Sequence, residues 1–487
     1  MKAFESVECV CGTTKLRFGG LLMNEDSTQQ SVMVEGLFGK PVFAVFDQPH
    51  ASSDGGAILL RAADERLGLT RALASVLRDD RDPSRVQHAI LDVIRQRVFG
   101  IACGYEDAND AARLKSDPVY RLLLDRDPVT GEDLASQPTL SRFENVLCIR
   151  DVVNLVNMLA DRVIQHHAQR LNGRTRRVTI DLDGTDDRAH GAQQGAFWNG
   201  FHDEACYLPL IGTLQLRGEK EQYVFTSIVR EGNAAPSRGA IPLLKRLLPK
   251  LRDAFPHAVI RVRLDAGFAN PVVYDFLEME DVEYVIAMPS NAVLKRVAEP
   301  LLVPVRQRVQ ETGSTCHAYG EVMYKAKSWR MQRRIIIKAE VTTYPMHLTR
   351  KDVPPRPKDN PGFLVTNLPM DPQTVYEEVY AARGDMENRI KEMHHGVSMD
   401  RLSCTRFLAN QVRLILHTAA YVLLQTVRLA ARGSSLGAAQ VTTLRERLLK
   451  MAAWFQVSTR RITMHMPIDA PWKAEWRYVL TRLHATI

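Results

Sequence analysis

Val178-Thr-Ile180-Asp181-Leu182-Asp183-Gly184-Thr185 alternates apolar and polar residues, the pattern of a β-strand whose successive side chains point to opposite faces. Ile180 and Leu182 share one face, Asp181 and Asp183 the other. Carboxylates gathered on one face at a strand end are costly to bury unpaired. A magnesium ion would relieve that cost, because hard cations take carboxylate oxygens.

Working outward, residues 205–212 and 222–229 read as two further strands, and a helix is expected over 237–254. A fourth strand, 259–264, ends at Asp265-Ala-Gly267-Phe268; a helix (271–278) and a fifth strand (284–287) follow. The segment 190–200 reads as a loop. The order β-β-β-α-β-α-β, with acids on the first and fourth strands, is that of an α/β, ribonuclease-H-like core. Those strands are neighbours in that fold, so Asp183 and Asp265 are expected to converge. An aspartate that merely starts a helix after a strand would look the same at position 265.

A third acidic signal lies far downstream. Residues 376–394 have the periodicity of one amphipathic helix, opened by Asp371-Pro372 and closed by Gly396 after a basic last turn. Tyr380, Arg383, Glu387, Lys391 and His394 recur at steps of three or four and share a face. That face combines an aromatic, an acid and three bases, whereas a core stripe would be Leu, Ile and Val. An exposed, salt-bridged helix would carry a similar pattern. The opposite face offers only Met386, Ile390 and Met393.

The spacing Tyr380-x2-Arg383-x3-Glu387 resembles the signature helix of the DDE transposases of bacterial insertion sequences. Within the IS-four-type superfamily the chain looks most like the group numbered thirteen-eighty. Asp265-Ala-Gly-Phe-Ala269 resembles the second catalytic motif. Gly104-Tyr-Glu-Asp-Ala-Asn-Asp110, Gln137-Pro-Thr-Leu-Ser-Arg142 and Asp400-Arg-Leu-Ser403 resemble other family text. The family's first catalytic aspartate precedes a Gly-Thr or Thr-Thr pair, which selects Asp183 here, with Asp181 as runner-up. The family signature ends in a lysine seven residues after the glutamate; here His394 stands there and Lys391 lies one turn earlier. The resemblance implies Asp183, Asp265 and Glu387 as holders of two Mg2+ (or Mn2+) ions, and Tyr380, Arg383, Lys391 and His394 as DNA contacts. It further implies cut-and-paste movement by a homodimer on double-stranded DNA with terminal inverted repeats. A catalytically inactive DNA-binding derivative and a ribonuclease-H-like nuclease are the alternatives.

The rest of the chain divides by pattern. Residues 1–50 are expected to form short strands, and 51–170 a helical DNA-binding region in which Ser84 and Ser141-x-x-Glu144 cap helices. The catalytic core is expected over 176–288 and 367–430, interrupted by a β-rich insertion, 289–366. That insertion contains Trp329, a packed tryptophan or a stacking surface for an unpaired base, and a Pro-rich turn, 353–361. Residues 407–429 form an apolar core helix, and 431–487 a helical, strand-ended tail without assigned function. The net charge of +8 favours a polyanionic partner. No window has the roughly 18–20 apolar residues of a membrane span, and Met1-Lys-Ala-Phe-Glu-Ser lacks a leader's layout, so a cytoplasmic protein with no membrane partner is expected. The seven cysteines are scattered, with Cys9 and Cys11 the one close pair, which fits reduced thiols.

Overall fold

The computed structural model describes residues 47–343 and 357–484, together with Lys40 and four short strands ahead of them. Those strands, Lys15–Phe18, Leu21–Asn24, Ser31–Val34 and Val42–Val45, form an antiparallel meander. Cys9, Cys11 and positions 353–356 of the Pro-rich turn lie outside the described residues.

Between residues 55 and 170, after a two-residue strand at Ala51–Ser52, the chain is helical, but its starts differ from the expected ones. Ser84 sits in a short 3-10 turn capped by Asp82, and the helix with Ile94 and Val98 begins at Ile90. Ser141 lies inside helix Gln137–Val146, whose first turn holds Pro138. Glu144 is buried and pairs with Arg97 (3.1 Å) and Arg413 (2.7 Å). The helix ends before Leu147; α1 (Ile149–Arg170) then starts with a capping box made by Cys148 and Asp151.

The centre is one large mixed sheet. Its first five strands are β1 (Arg177–Gly184), β2 (Leu210–Leu216), β3 (Gln222–Ile228), β4 (Val259–Leu264) and β5 (Glu283–Met288), in spatial order β3-β2-β1-β4-β5. β2 runs antiparallel to both of its neighbours, β1 and β3, whereas β4 runs parallel to β1 and β5 parallel to β4. β1 is central, so Val178, Ile180 and Leu182 are fully buried on one face and Asp181 is equally buried on the other. Helices α2 (Ala240–Ala254) and α3 (Pro271–Met279) connect β3 to β4 and β4 to β5. Strands that run parallel need such crossovers, because a tight turn cannot join them.

The segment 289–366 departs from the expected β-rich insertion in two ways. It opens with a helix and not a strand, α4 (Ala292–Thr312), which contains Pro300 and Pro304. The strands that follow, β6 (Cys316–Tyr324), β7 (Arg333–Thr342), β8 (Lys358–Asp359) and β9 (Gly362–Thr366), do not stand apart. β9 pairs with β5 and β7 pairs with β9, so they extend the central sheet. Trp329 is 6% exposed, edge-on to Tyr274 and Tyr324 and beneath Arg333, a packed tryptophan.

The signature stretch is helical but not one regular helix. A turn of π-helix (Val375–Tyr380) and a 3-10 turn (Ala381–Arg383) precede α5 (Gly384–Val397), which ends with Ser398 in the left-handed region at φ 49°, not at Gly396. Met386, Ile390 and Met393 are buried and carry the inward face. Behind it runs α6 (Phe407–Ala430), long and apolar enough to span a membrane by length and composition, contrary to the sequence reading. Most of its apolar window, 83%, is buried inside the protein. The tail holds a hairpin, Ala453–Ser458 with Arg461–His465, and ends in helix Lys473–His484, not in a strand.

Candidate active site

β1 and β4 lie side by side with Leu182 opposite Leu264, so Asp183 and Asp265 sit one step further along at the same sheet edge. Asp183 is 8% exposed; its Oδ1 accepts from the Gly184 amide (2.9 Å) and its Oδ2 lies 2.7 Å from Arg383 Nη2. The same nitrogen lies 3.9 Å from Asp265 Oδ2, and Arg383 Nη1 lies 3.5 Å from Glu387 Oε1. The three acids nominated from the sequence therefore ring one buried guanidinium. Asp265 also caps the following turn, its Oδ1 accepting from the Gly267 amide (3.0 Å). The turn-starting and site-facing readings of that residue are compatible, since each uses one oxygen.

Three acids meet Arg383 directly and Arg230 at longer range, so the carboxylates outnumber the cations. Burial pushes the Asp183 carboxyl up to about 6; Arg383 opposes the rise, while Asp265 and Glu387 add to it. Arg383 is held charged by Asp183, Tyr380 and Asp265 against the cost of its burial. Among the described residues no three acidic, histidine or cysteine side chains close into a ready-made metal cage. The donor set nevertheless suits a hard divalent cation, because all three groups offer carboxylate oxygen and the site lacks positive charge.

Asp181, the runner-up, has a different job. It is fully buried and accepts from Arg263 Nε and Nη2 (2.7 Å each) and from Gln222 Nε2 (3.0 Å). Arg263 Nη1 then donates to the Val379 carbonyl (3.0 Å), and Gln222 Nε2 approaches the Ala382 carbonyl (3.4 Å). Irregular helical turns leave carbonyls that the regular ladder would have used. The Asp181–Arg263–Gln222 group satisfies two of them just ahead of Arg383.

The four nominated DNA contacts are not equivalent. Lys391 is exposed and makes no ion pair among the described residues. Tyr380 is half-buried beside Tyr376, and burial raises its hydroxyl to about 12. Arg383 belongs to the acid ring. His394 Nε2 lies 3.1 Å from Thr185 Oγ1 and 3.9 Å from Asp187 Oδ1. Burial lowers its pKa, with Asp400 and Asp186 opposing, so a neutral imidazole braces the loop after Asp183.

Two residues escaped the sequence reading. Arg230 is buried and donates to the carbonyls of Leu208 (2.7 Å), Pro236 (2.5 Å) and Arg238 (3.3 Å), tying together the chain around Asp183. A Cβ on Gly184 would lie 2.8 Å from Arg230 Nη2, so a larger residue after Asp183 would displace the end of the Arg230 guanidinium. Asp187 is 1% exposed with neither carboxyl oxygen hydrogen-bonded. Burial, then Asp400 and Asp186, raise its pKa well above the usual carboxylate range. Neither residue carries a periodic signal; each is identified by partners distant in sequence.

A family model described as transposase DDE domain group 1 matches residues 34–486. No curated protein sequence matches the chain. Among solved structures, the cryo-EM structure of a piggyBac transposase synaptic complex with hairpin DNA is similar at a TM-score of 0.38 and 12% identity. The match covers 88% of this chain and 82% of that one.

Proposed function

Because the chain belongs to the DDE transposase family, we propose that it is the transposase of a bacterial insertion sequence, of the IS-four type and nearest the group numbered thirteen-eighty. In this reading a homodimer acting in the cytoplasm cuts DNA at terminal inverted repeats and joins the ends to a target by cut-and-paste. The sheet β3-β2-β1-β4-β5 is a ribonuclease-H-like core, and the helices of residues 51–170 hold DNA through their basic side chains.

The observation that carries the proposal is the meeting of Asp183, Asp265 and Glu387, from three separate parts of the chain, around Arg383. These acids would hold two Mg2+ or Mn2+ ions. Bound there, divalent ions supply Lewis acidity and orientation for attack of water or a 3′-hydroxyl on a phosphodiester. The chain's own residues do the rest. Asp181, through Arg263 and Gln222, fixes the turn that presents Arg383. Arg383 and Tyr380 face the acids, where a bidentate guanidinium suits phosphate oxygens. Lys391 extends the cationic edge into solvent, and His394 sets the Thr185 loop.

Purified protein incubated with labelled linear DNA bearing candidate repeat ends and Mn2+ or Mg2+ should give cleaved and joined products. Chelation with EDTA should abolish both. Asp183→Asn, Asp265→Asn and Glu387→Gln should each cut cleavage by roughly a thousand-fold or more with DNA affinity retained. Binding without cleavage by the wild type would favour an inactive DNA-binding derivative, for which His394 in place of lysine is the one feature. Cleavage without joining would favour a plain nuclease.

A further inference from the structure

Directly after β1 the chain turns through Thr185 and Asp186 into a small three-stranded sheet, Asp187–Arg188, Phe197–Asn199 and Glu204–Tyr207, where the sequence read 190–200 as a loop. Its first residue, Asp187, takes no part in the ring around Arg383. It is 1% exposed, and neither carboxyl oxygen has a hydrogen-bond partner. Asp181, equally buried on β1, accepts from Arg263 twice and from Gln222 once. A carboxyl sealed from water with no donor is costly to keep as an anion, so Asp187 rests protonated.

Among the described residues His394 is the one basic group that reaches it, with Nε2 3.9 Å from Asp187 Oδ1. The same nitrogen is 3.1 Å from Thr185 Oγ1, so the ring is held over the loop that follows Asp183. The other titratable groups nearby give Asp187 no lasting countercharge. Asp400, beyond the end of α5, and Asp186 act on both Asp187 and His394, and His395 acts on His394. Asp186 is itself 3.3 Å from His202 Nδ1. On the neighbouring strand the Cys206 thiol, pushed up to about 11 by burial and then by Glu204, Asp186 and Asp187, stays protonated.

A carboxyl and an imidazole so placed hold one proton between them, and it can stand on either partner. On Asp187 it leaves both groups neutral, which suits a buried pair. On His394 it makes the ring a cation with the carboxylate as counterion. An anion arriving beside the ring favours the second arrangement, because an opposite charge within about 4–6 Å stabilises the charged form. The His394 side chain keeps 21% of its surface exposed, so an anion can reach it.

Resting on the transposase reading, we propose that Asp187 is a positioning residue that charges His394: as a DNA phosphate docks beside the acid ring, the Asp187 O–H bond breaks and an N–H bond forms at His394 Nε2. The proton stays within the pair, and nothing is drawn from solvent. His394 then presents a full positive charge at a pH where a solitary imidazole has lost it.

The test is affinity for a fluorescein-labelled duplex bearing a candidate repeat end, measured by anisotropy without metal. Asp183 titrates in the same range, so each variant is read against wild type at the same pH. Asp187→Asn should bind close to wild type at about pH 5.5 and about ten-fold more weakly at about pH 7.5. At the higher pH its salt dependence should be shallower by about one phosphate contact. His394→Lys carries its charge without a partner, so adding Asp187→Asn to it should change affinity at neither pH. His394→Gln reads the pair without touching the buried carboxyl, and should cost the same factor at both pH values. An Asp187→Asn effect equal at both pH values, a loss that persists in the His394→Lys background, or a His394→Gln cost confined to the lower pH would overturn the proposal. Metal-dependent cleavage of the same duplex by wild type reads the transposase assignment separately. Cleavage without the pH-dependent loss sinks the proton pair alone, and the loss without cleavage sinks the transposase reading alone.

Discussion

Two of the three site acids should differ in their effect on stability. Asp183 is buried, and its pKa lies at about 6 against an ordinary 3.8, a difference equivalent to at most about 3 kcal/mol. An acid raised in the folded state binds more protons folded than unfolded between those two values, so stability falls as pH rises through that window. Asp183→Asn should therefore melt a few degrees above wild type at pH 7.5 without metal, and the gap should close by pH 4. Calorimetry showing a lower melting temperature for the variant at both values would contradict the burial argument. Glu387, with 56% of its side chain exposed, should lose activity as glutamine with no measurable change in melting. The alternation of β1 could not tell Asp181 from Asp183, because both point the same way. What separates them is Arg263, 82 positions later, which takes one and leaves the other at the sheet edge.

The signature helix shows how far periodicity reaches at the scale of an element. Steps of three and four placed Arg383 and Glu387 on one face, and the structure puts them 3.5 Å apart. The π and 3-10 turns before them left no trace in that spacing, since their cause is a buried network on β1, β3 and β4. A similar limit explains α4, which lay within the stretch expected to be β-rich, and Glu144, which read as a cap but answers two arginines from other helices. The network gives a test. Asp181→Ala alone strands the buried Arg263 guanidinium and should cost about 3–5 kcal/mol. Asp181→Leu with Arg263→Met replaces the pair by apolar volume and should recover much of that stability. Activity should stay low in the double variant, because the Val379 carbonyl has lost its donor and the turn presenting Arg383 is no longer fixed. A double variant that is both stable and fully active would show that the network is structural only.

At the scale of the whole molecule, the tail that carried no functional signal closes the fold. Ala51 and Ser52 pair with Trp454 and Ala453, Lys450 lies 2.8 Å from buried Asp54, and Gly55 donates to the Met451 carbonyl (2.7 Å). Leu444, Leu448 and Leu449 are fully buried, so the last fifty residues complete a core begun by the first helices. Such closure joins positions some four hundred residues apart, and no local pattern announces it. Gly56 is the tightest point: a Cβ there would lie 1.7 Å from the Leu448 carbonyl oxygen, and its nearest neighbours are all backbone atoms of Leu448 and Leu449, not the end of a flexible side chain. Gly56→Ala should cost more than the roughly 1–3 kcal/mol of ordinary overpacking, lowering the melting temperature or the yield of folded protein. Gly200→Ala, where an added Cβ meets nothing within 4 Å, is the matched control and should melt like wild type. If the clasp works as a unit, a chain ending at residue 440 should fare no better than Gly56→Ala, although it keeps all three site acids. A truncated chain that melts cooperatively at the wild-type temperature would instead show that the catalytic sheet stands without its closure.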